Sequence, residues 1–232
     1  MMTRIFSLLR RGRCFRNRIT LGPVKTLDDY LNRLASTAPT PGGGSAACLV
    51  AAQGAALAAM VARICLEGKA FAPWRDWFAQ RVVSADALRA SLGEARQRDE
   101  EAYAAVVLAM ALPKETSAQA GERSTRLQGA LARAASEPLR AAELALSTLE
   151  EARLLLDHPN PHLLSDVGCA GEFAAAAVAA CAYNVRVNHR YLKDELLVAR
   201  QRVALERIEQ HTRESIQTLR AGIIEAESSR GR

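Results

Sequence analysis

Apolar residues recur along this chain at intervals of three and four, the spacing of one face of an α-helix. In the first such segment the apolar stripe is Leu27, Tyr30, Leu31 and Leu34. Thr26, followed three residues later by Asp29, predicts a capping box in front of this stripe. No segment alternates apolar and polar residues as a half-buried strand would. The pattern therefore predicts an all-α protein.

Longer helices are predicted after this first one, each bounded by a cap, a glycine or a proline. Ser45 is expected to cap a helix that runs to about Leu66 and is closed by Gly68. The other predicted spans run from Trp74 or Arg75 to Ala111, from the Glu115 region to near Ser136, from Pro138 to about Asp157, and from Asp166 through a charged amphipathic helix to about Ser228. These spans predict a bundle of long antiparallel helices.

The composition favours one domain with a core of small side chains. The chain has 232 residues, of which 49% are hydrophobic and only 5% aromatic. Alanine-rich runs near Ser45 and Asp166 are apolar on most sides, so these helices are predicted to be buried. We expect helices that approach closely and pack through alanine, leucine and valine.

The net charge of +6 is concentrated at the N-terminus. Residues 1–25 contain six arginines, Lys25 and no acidic residue; without these seven, 24 of the 31 basic residues face 25 acidic ones. We expect residues 1–25 to be a flexible Arg-rich extension and residues 26–232 to form a single helical domain. Binding of nucleic acid or a membrane surface would rest on the extension, and none is expected of the folded body.

Neither a secretory signal nor a membrane span is predicted. Residues 1–20 lack the apolar centre and small-residue cleavage site of a signal peptide. The long apolar runs are rich in alanine, whose low hydrophobicity suits a buried helix better than a bilayer. The sequence therefore predicts a cytoplasmic protein.

The stretch "PTPGGGSAA" at residues 39–47 is the most unusual local feature. It contains neither a Walker loop nor a dinucleotide fingerprint, because no strand precedes it and no Gly-Lys-Ser/Thr follows. Two interpretations remain: a glycine loop that admits an anionic ligand to the free N–H groups of a helix start, or a tight turn with an ordinary helix cap.

Metal binding is not expected. His158 and His162 have helical i, i+4 spacing, but Pro159 and Pro161 interrupt any helix between them. The five cysteines form no Cys-x-x-Cys pair and are predicted to be buried thiols.

Polar residues at helix entrances and within alanine-rich helices are the remaining candidates. Ser165 and Asp166 stand at a helix entrance, where capping is the commoner role of an aspartate and catalysis the rarer one. Asp99 in "RQRDEEAY" is interpreted most simply as part of a solvated face shared with Glu100 and Glu101. Asn184 and Asn188 lie four apart on one helical face, where a buried amide needs partners.

The helical rise separates these candidates into groups. Asp166 and Asn184 lie ~27 Å apart along one helix, and Lys69 lies ~36 Å from Ser45, so one small site holds them all only if another subunit contributes helices. If the Ser45 and Asp166 helices are antiparallel, Ser45 lies near Asn184 and Asp166 near Lys69. If they are parallel, the glycines lie near Asp166. The sequence leaves this choice open.

Several motifs in order along the chain resemble the cyclodeaminase and methenyltetrahydrofolate cyclohydrolase family, which includes the cyclodeaminase half of formiminotransferase-cyclodeaminase. They are "LASTAPTPGGGSAA", Gly68–Lys69, "DEEAY", "LPK", "ASEPLRAAELA", "SDVGCA" and "NVRVN" with Asp194 after it. The resemblance covers residues 27 to about 200, and the Pro-x-Pro-Gly-Gly-Gly-Ser loop is its most specific part.

The resemblance implies an all-helical homodimer, like the C-terminal domain of formiminotransferase-cyclodeaminase, that acts on one-carbon tetrahydrofolate derivatives without a metal or other cofactor. It implies Asp166 and Asp99 as catalytic residues. The substrate-binding residues that it implies are Gly42, Gly43, Gly44, Ser45, Lys69, Asn160, Ser165, Asn184, Asn188 and Asp194. A departure from the family pattern lies at Pro159-Asn160-Pro161-His162, where His162 replaces an amide and bears on substrate specificity.

Two reactions and one silent alternative follow from the resemblance. The first is hydrolysis of 5,10-methenyltetrahydrofolate to 10-formyltetrahydrofolate, in which a carboxylate stabilises the substrate cation and activates water. The second is cyclodeamination of 5-formiminotetrahydrofolate with release of ammonia. The absence of a fused formiminotransferase domain from this sequence favours the hydrolase. A helical dimer that has lost catalysis and binds a ligand or protein is the alternative.

Overall fold

The structure is a computed structural model that describes residues 26–228, and these residues form helices without any strand. The α-helices are α1 (Leu27–Ala35), α2 (Gly43–Glu67), α3 (Arg75–Met110), α4 (Ser117–Leu154), α5 (Leu164–His189) and α6 (Glu195–Ser228). Short 3₁₀ segments at Lys69–Trp74 and Leu155–Asp157 join α2 to α3 and extend α4. The predicted all-α class is confirmed.

Helices α2, α3, α4 and α5 pack as a bundle in which each contacts its two neighbours, and α6 lies against α4 and α5. The core consists largely of alanine, with Leu92, Leu149 and Phe78 among its largest fully buried side chains. These small residues let the helix axes approach closely, as the composition predicted. The predicted bundle of long helices is confirmed.

The predicted capping box at the start of α1 is present. The Thr26 hydroxyl accepts the Asp29 backbone N–H at 3.0 Å, and the Asp29 carboxylate accepts the Thr26 N–H at 3.1 Å. Of the predicted apolar stripe only Tyr30 is buried, and Leu27 and Leu31 are exposed. Tyr30 is therefore the residue that attaches α1 to the bundle.

The predicted cap at Ser45 is wrong. Helix α2 begins at Gly43, its cap is Gly42, and Ser45 is fully buried inside the first turn. The reason is that the Ser45 hydroxyl has partners on other helices, which hold it away from the helix end. The predicted end at Gly68 is confirmed, since its backbone N–H bonds the carbonyl groups of Cys65 and Ile64.

The predicted break between Ser136 and Pro138 is also wrong, because α4 continues through it as one 38-residue helix. Proline has no backbone N–H, so the carbonyl of Ala134, four residues earlier, loses its usual helical partner. The Asn188 side chain of α5 donates to that carbonyl at 2.8 Å. A side chain from the neighbouring helix thus replaces the missing hydrogen bond.

Helix α5 begins close to the predicted place, and Asp194 stands before the last helix. Helix α5 begins at Leu164, two residues before the expected start, so Ser165 and Asp166 lie within its first turn and Asp166 is not the cap. Asp194 precedes α6, and its carboxylate accepts the Leu197 N–H at 2.9 Å. This contact satisfies one of the free N–H groups at the start of α6.

Two helices of the described region, α2 and α5, are long and apolar enough to cross a membrane by length and composition alone. In each, 44% of the most apolar window is buried inside the bundle. Core helices of soluble proteins pass the same test, so this is weak evidence for a span. Both helices nevertheless keep a substantial apolar surface on the outside of the bundle.

The predicted burial of the cysteines holds for Cys48, Cys65 and Cys181, whereas Cys169 is exposed on α5. Cys14 and the predicted N-terminal extension, residues 1–25, lie outside the described residues. The division into an extension and one helical domain stays a prediction.

Candidate active site

The N-terminus of α2 lies against the middle of α3, where it meets Asp99. A Cβ atom at Gly44 would lie 2.1 Å from Asp99 Oδ1, so the carboxyl group reaches the helix end only because Gly44 has no side chain. The Ser45 backbone N–H lies near this carboxyl group and favours its ionised form. The glycine-rich turn thereby brings the start of α2 into direct contact with an acidic residue.

Asp99 occupies a position of α3 that points inward. The side chains before and after it at three- and four-residue intervals are buried and apolar: Leu92, Ala95, Ala102 and Val106. The predicted solvated face is therefore wrong for Asp99, although it holds for the exposed Glu101. The inward position could have been found from this spacing, in which an acid falls where the pattern requires an apolar residue.

Burial raises the pKa of Asp99 to about 6, because the ionised form loses its hydration. The nearby Ser45 N–H opposes this effect, and the negative charges of Glu100 and Glu137 add to it. Desolvation dominates. Asp99 therefore changes its charge near neutral pH, as a general base needs to do.

A hydrogen-bond network surrounds the Ser45 side chain. Its hydroxyl donates to Glu100 Oε1 at 2.8 Å and lies 2.9 Å from the Tyr30 hydroxyl. Arg96 Nη1 also donates to Glu100 Oε1 at 2.8 Å, and its guanidinium lies 5.7 Å from the centre of the Tyr30 ring. The network joins α1, α2 and α3 beside Asp99.

The asparagines of α5 lie at the same end of the bundle. A Cβ at Gly43 would lie 3.4 Å from Asn184 Nδ2, so the start of α2 contacts the last third of α5. This contact selects the antiparallel alternative that the sequence left open. Asn184 Nδ2 donates to the carbonyl of Ala180, and Asn188 uses its amide nitrogen for the carbonyl groups of Asn184 and Ala134.

The electrostatics of this end favour a cation over an anion. The hypothesis of an anion site at the glycine loop assumed free N–H groups, but Asp99 already occupies the positive end of the α2 dipole. Glu100 and Glu137 bring further negative charge, which their ion pairs with Arg96 and Arg98 balance. Ionised Asp99 leaves a net negative charge at the cluster.

Asp194 follows the Asn188 end of α5, whereas the other predicted residues lie at the opposite end of α2 and α5. Asn160 lies near the Cys65 thiol, and its Oδ1 accepts the backbone N–H of His162 at 3.1 Å. Lys69 and Ser165 are exposed and Asp166 is half-buried. In the described part of the chain no ion pair joins Lys69 to Asp166.

An aromatic cluster adjoins this second end. The His158 ring stacks on Trp74 with centroids 4.5 Å apart and meets Trp77 edge-on at 5.0 Å. These contacts give His158 a packing role beside the loop that carries Asn160. Within residues 26–228 no group of three or more potential metal ligands is assembled.

Sequence reasoning missed Tyr30, Arg96, Glu100 and Glu137 as parts of the site. Arg96 and Glu100 have the i, i+4 spacing of a helical ion pair, which is a detectable signal but one that most exposed helix faces share. Glu137 is 6% exposed and precedes Pro138. A buried acid in that position is visible only once the helix is known to continue through the proline.

Comparison with known proteins agrees with this description. The profile of the formiminotransferase-cyclodeaminase family matches residues 26–207. A methenyltetrahydrofolate cyclohydrolase of Methylorubrum extorquens is 34% identical over 170 residues, which are 73% of this chain and 82% of that protein. The formimidoyltransferase-cyclodeaminase of Rattus norvegicus is 29% identical over 180 residues, which are 75% of this chain but only 33% of that longer protein.

A solved structure shares the fold. The formiminotetrahydrofolate cyclodeaminase of Thermotoga maritima superposes with a TM-score of 0.77 at 26% identity, over 86% of this chain and 96% of that one. The fold and these relatives define an all-helical enzyme. The chain belongs to the formiminotransferase-cyclodeaminase family.

Proposed function

We propose that this protein hydrolyses 5,10-methenyltetrahydrofolate to 10-formyltetrahydrofolate. The relative with the higher identity, which also aligns over most of its own length, is named a methenyltetrahydrofolate cyclohydrolase. The vertebrate relatives named formimidoyltransferase-cyclodeaminase share lower identity and align over about a third of their length. The comparison thus favours the hydrolase over the cyclodeaminase.

The observation that carries the proposal is the inward carboxyl group of Asp99 at the glycine-rich start of α2. The methenyl bridge of the substrate is a delocalised cation, which an ionised carboxylate attracts and which a free helix N-terminus would repel. A pKa of about 6 leaves Asp99 mostly ionised at neutral pH and still basic enough to accept a proton. One group thereby supplies both the charge and the base.

The proposed reaction proceeds by addition of water and opening of the ring. Asp99 removes a proton as water adds to the one-carbon bridge, which gives a neutral carbinolamine. The hydroxyl proton of that intermediate then moves to N5, the bond between N5 and the bridge carbon breaks, and a formyl group remains on N10. The proton taken by Asp99 is released to solvent. Since the substrate carbon is already electrophilic, the scheme needs neither a metal nor another cofactor.

We further propose that two copies of the chain form a homodimer through the outward sides of α2 and α5. Exposed residues of these sides include Met60 and Ile64 on α2 and Ala176, Ala179 and Tyr183 on α5. A twofold axis across this face would set the Asp99 end of one copy beside the Asp166 end of the other. Such a dimer unites the two groups of predicted residues that a single chain keeps apart.

In this dimer Asp99 and Asp166 are the proposed catalytic residues. Contacts to folate are assigned to Gly42, Gly43, Gly44, Asn184 and Asn188 at one end, and to Lys69, Asn160 and Ser165 at the other. One carboxylate oxygen of Asp194 and the Ser45 hydroxyl already have hydrogen-bond partners within the chain. We expect the reaction to take place in the cytoplasm.

The test is loss of the absorbance of methenyltetrahydrofolate at neutral pH, corrected for its spontaneous hydrolysis. We expect wild-type protein to accelerate this loss and Asp99→Asn to reduce kcat/KM about 10²- to 10⁴-fold, because general-base catalysis is removed. Asp166→Asn should reduce turnover and leave Tm nearly unchanged. A lowered Tm with turnover intact would show that Asp166 only stabilises the first turn of α5.

The alternatives give different results in the same samples. Ammonia released from formiminotetrahydrofolate, without acceleration of methenyl hydrolysis, would identify a cyclodeaminase. Neither activity, with a folded protein, would identify the silent dimer. An Asp99→Asn variant as active as wild type would exclude Asp99 as the base even if the enzyme hydrolyses methenyltetrahydrofolate.

A further inference from the structure

A second acidic residue beside Asp99 has a different environment and a different use. The Glu100 side chain is partly exposed, and its Oε1 accepts both the Ser45 hydroxyl and Arg96 Nη1 at 2.8 Å. Because a carboxylate only accepts, Ser45 is the donor in this pair. The Tyr30 hydroxyl, 2.9 Å from Ser45 Oγ, must then donate to Ser45.

These contacts define a directed chain of hydrogen bonds, from Tyr30 to Ser45 to Glu100. Ser45 and Tyr30 are buried, with 0% and 4% of their surfaces exposed, so little solvent competes for the same donors. Hydrogen bonds in such a chain strengthen one another when solvent is excluded. The Ser45 hydroxyl donates one hydrogen bond to Glu100 and accepts one from Tyr30, and these two bonds fix its side chain.

Fixing the Ser45 side chain also fixes the start of the α2 backbone, which approaches the Asp99 carboxyl group so closely at Gly44 that a side chain there would clash. One residue is thus held by Glu100 through its hydroxyl and presents its backbone N–H to Asp99. We propose that Glu100, acting through Ser45, is a positioning residue that keeps the start of α2 in register with the Asp99 carboxyl group. Tyr30 completes the arrangement from α1. This inference rests on the proposed role of Asp99 as the base.

The charged groups around Asp99 determine how its titration changes when Glu100 is replaced. On α3 these groups are Glu100, Arg96 and Arg98, and on α4 the group is Glu137. The thiols of Cys48 on α2 and Cys181 on α5 are uncharged at neutral pH, since burial raises the pKa of each. The negative charge of Glu100 opposes ionisation of Asp99, so a neutral residue at position 100 should make Asp99 more acidic.

The experiment compares Glu100→Gln with Glu101→Gln, which removes the same charge from the next residue. Glu101 is exposed and pairs with Arg133 on the surface. We expect Glu100→Gln to lower kcat about 10- to 100-fold with little change in KM, because the base is misplaced while the binding groups stay. The pH midpoint of kcat/KM should also fall. Glu101→Gln should match wild type in all three quantities.

Tyr30→Phe is the second variant, which removes one donor of the chain and leaves every formal charge in place. It should lower kcat and raise the pH midpoint of kcat/KM, because a displaced Ser45 N–H no longer favours ionised Asp99. An unchanged kcat would contradict the positioning role. Equal behaviour of Glu100→Gln and Glu101→Gln would overturn the proposal as well.

A readout without substrate separates this inference from the proposed function. With ¹³C-labelled aspartate, the Asp99 carboxyl titration, assigned by its loss in Asp99→Asn, should move to lower pH in Glu100→Gln and stay in place in Glu101→Gln. In Tyr30→Phe, where no charge changes, the Asp99 titration should move to higher pH, because a displaced Ser45 N–H no longer favours the ionised form. A wild-type protein that fails to hydrolyse methenyltetrahydrofolate would end the proposed function, while an Asp99 titration unmoved by Tyr30→Phe would end the positioning role.

Discussion

Asp99 is the single side chain whose chemistry depends most on the fold. Its carboxyl group lies between a glycine of α2 and the neighbouring acids Glu100 and Glu137, and burial sets its pKa near 6. The folded pKa is higher than the ordinary value of 3.8, so the folded state holds a proton that the unfolded state has released. The ionised form of Asp99 therefore opposes folding.

The raised pKa of Asp99 in the folded state predicts how the stability of the protein depends on pH. The contribution of Asp99 is fully present below about pH 4, where both states are protonated, and is lost as the pH rises through about 6. At pH 8 we expect Asp99→Asn to raise the free energy of unfolding by about 1 to 3 kcal/mol, because the amide has no charge to desolvate. The gain should disappear as the pH falls toward 4, as measured by urea unfolding at each pH.

Asp86 provides a control of opposite sign. Its hydrogen bonds and ion pairs with Arg63 and Arg89 hold its pKa below the ordinary value, so its ionised form favours the folded state. Asp86→Asn should therefore slightly destabilise the protein at neutral pH and have no effect in strong acid. An Asp99→Asn variant that loses stability at pH 8 would contradict the burial argument.

Helices show where sequence reasoning succeeded and where it could not. The capping box of α1 was predictable because Thr26 and Asp29 are three residues apart and need nothing else. The continuity of α4 was not, because the residue that compensates for Pro138 lies on another helix, 54 residues from Ala134. Ser45 failed as a predicted cap for the same reason, since Tyr30 and Glu100 hold its hydroxyl.

Some residues of the candidate site could likewise be predicted from the sequence and others could not. The sequence and its family resemblance supplied Gly43, Gly44, Asp99 and Asn184, which the structure brings together at one end of the bundle. The direction of α5 relative to α2 decides this grouping, and no local pattern contains that direction. The partners of Ser45 were missed because each, taken alone, has the pattern of an ordinary helix surface.

The contact between α5 and α4 predicts a measurable coupling. Asn188→Ala leaves the buried Ala134 carbonyl without its donor, and we expect it to lower the free energy of unfolding by about 1 to 3 kcal/mol. Pro138→Ala restores a backbone N–H at position 138, so in that background the same change should have a smaller effect. Chemical denaturation of the four proteins gives the coupling free energy.

Additive effects of Asn188→Ala and Pro138→Ala on the free energy of unfolding would contradict this explanation. If Asn188→Ala destabilises the protein equally with proline or alanine at position 138, the amide does not serve the orphaned carbonyl. The proposed contact with folate would then be the role that remains for Asn188.

The molecule as a whole exposes apolar surface where its two most apolar helices face outward. Helices α2 and α5 each bury 44% of their most apolar window, and Tyr183 is 73% exposed. A monomer would leave this surface in water, whereas a second copy would cover it. The extent of the surface is the physical reason to expect a dimer.

Ala179→Glu tests that expectation, with Ala199→Glu on α6 as the matched control, since both alanines are exposed in helices. We expect wild type and Ala199→Glu to sediment with twice the 25.1 kDa mass of the chain. Ala179→Glu should shift the population toward the monomer, because a dimer would bury its charge. A wild-type monomer at micromolar concentration, or a dimer unaffected by Ala179→Glu, would exclude this face.

The antiparallel pairing of α2 and α5 sets Asp99 and Asp166 far apart in one chain, and this has a genetic consequence. In a twofold dimer that shares its pockets, Asp99→Asn and Asp166→Asn inactivate different halves of the same pocket. When the two defective proteins are unfolded together and refolded, mixed pairs each regain one intact pocket, so about a quarter of wild-type turnover should return. Two inactive variants would then complement each other in a mixed dimer. Such complementation does not occur when each chain contains a complete active site.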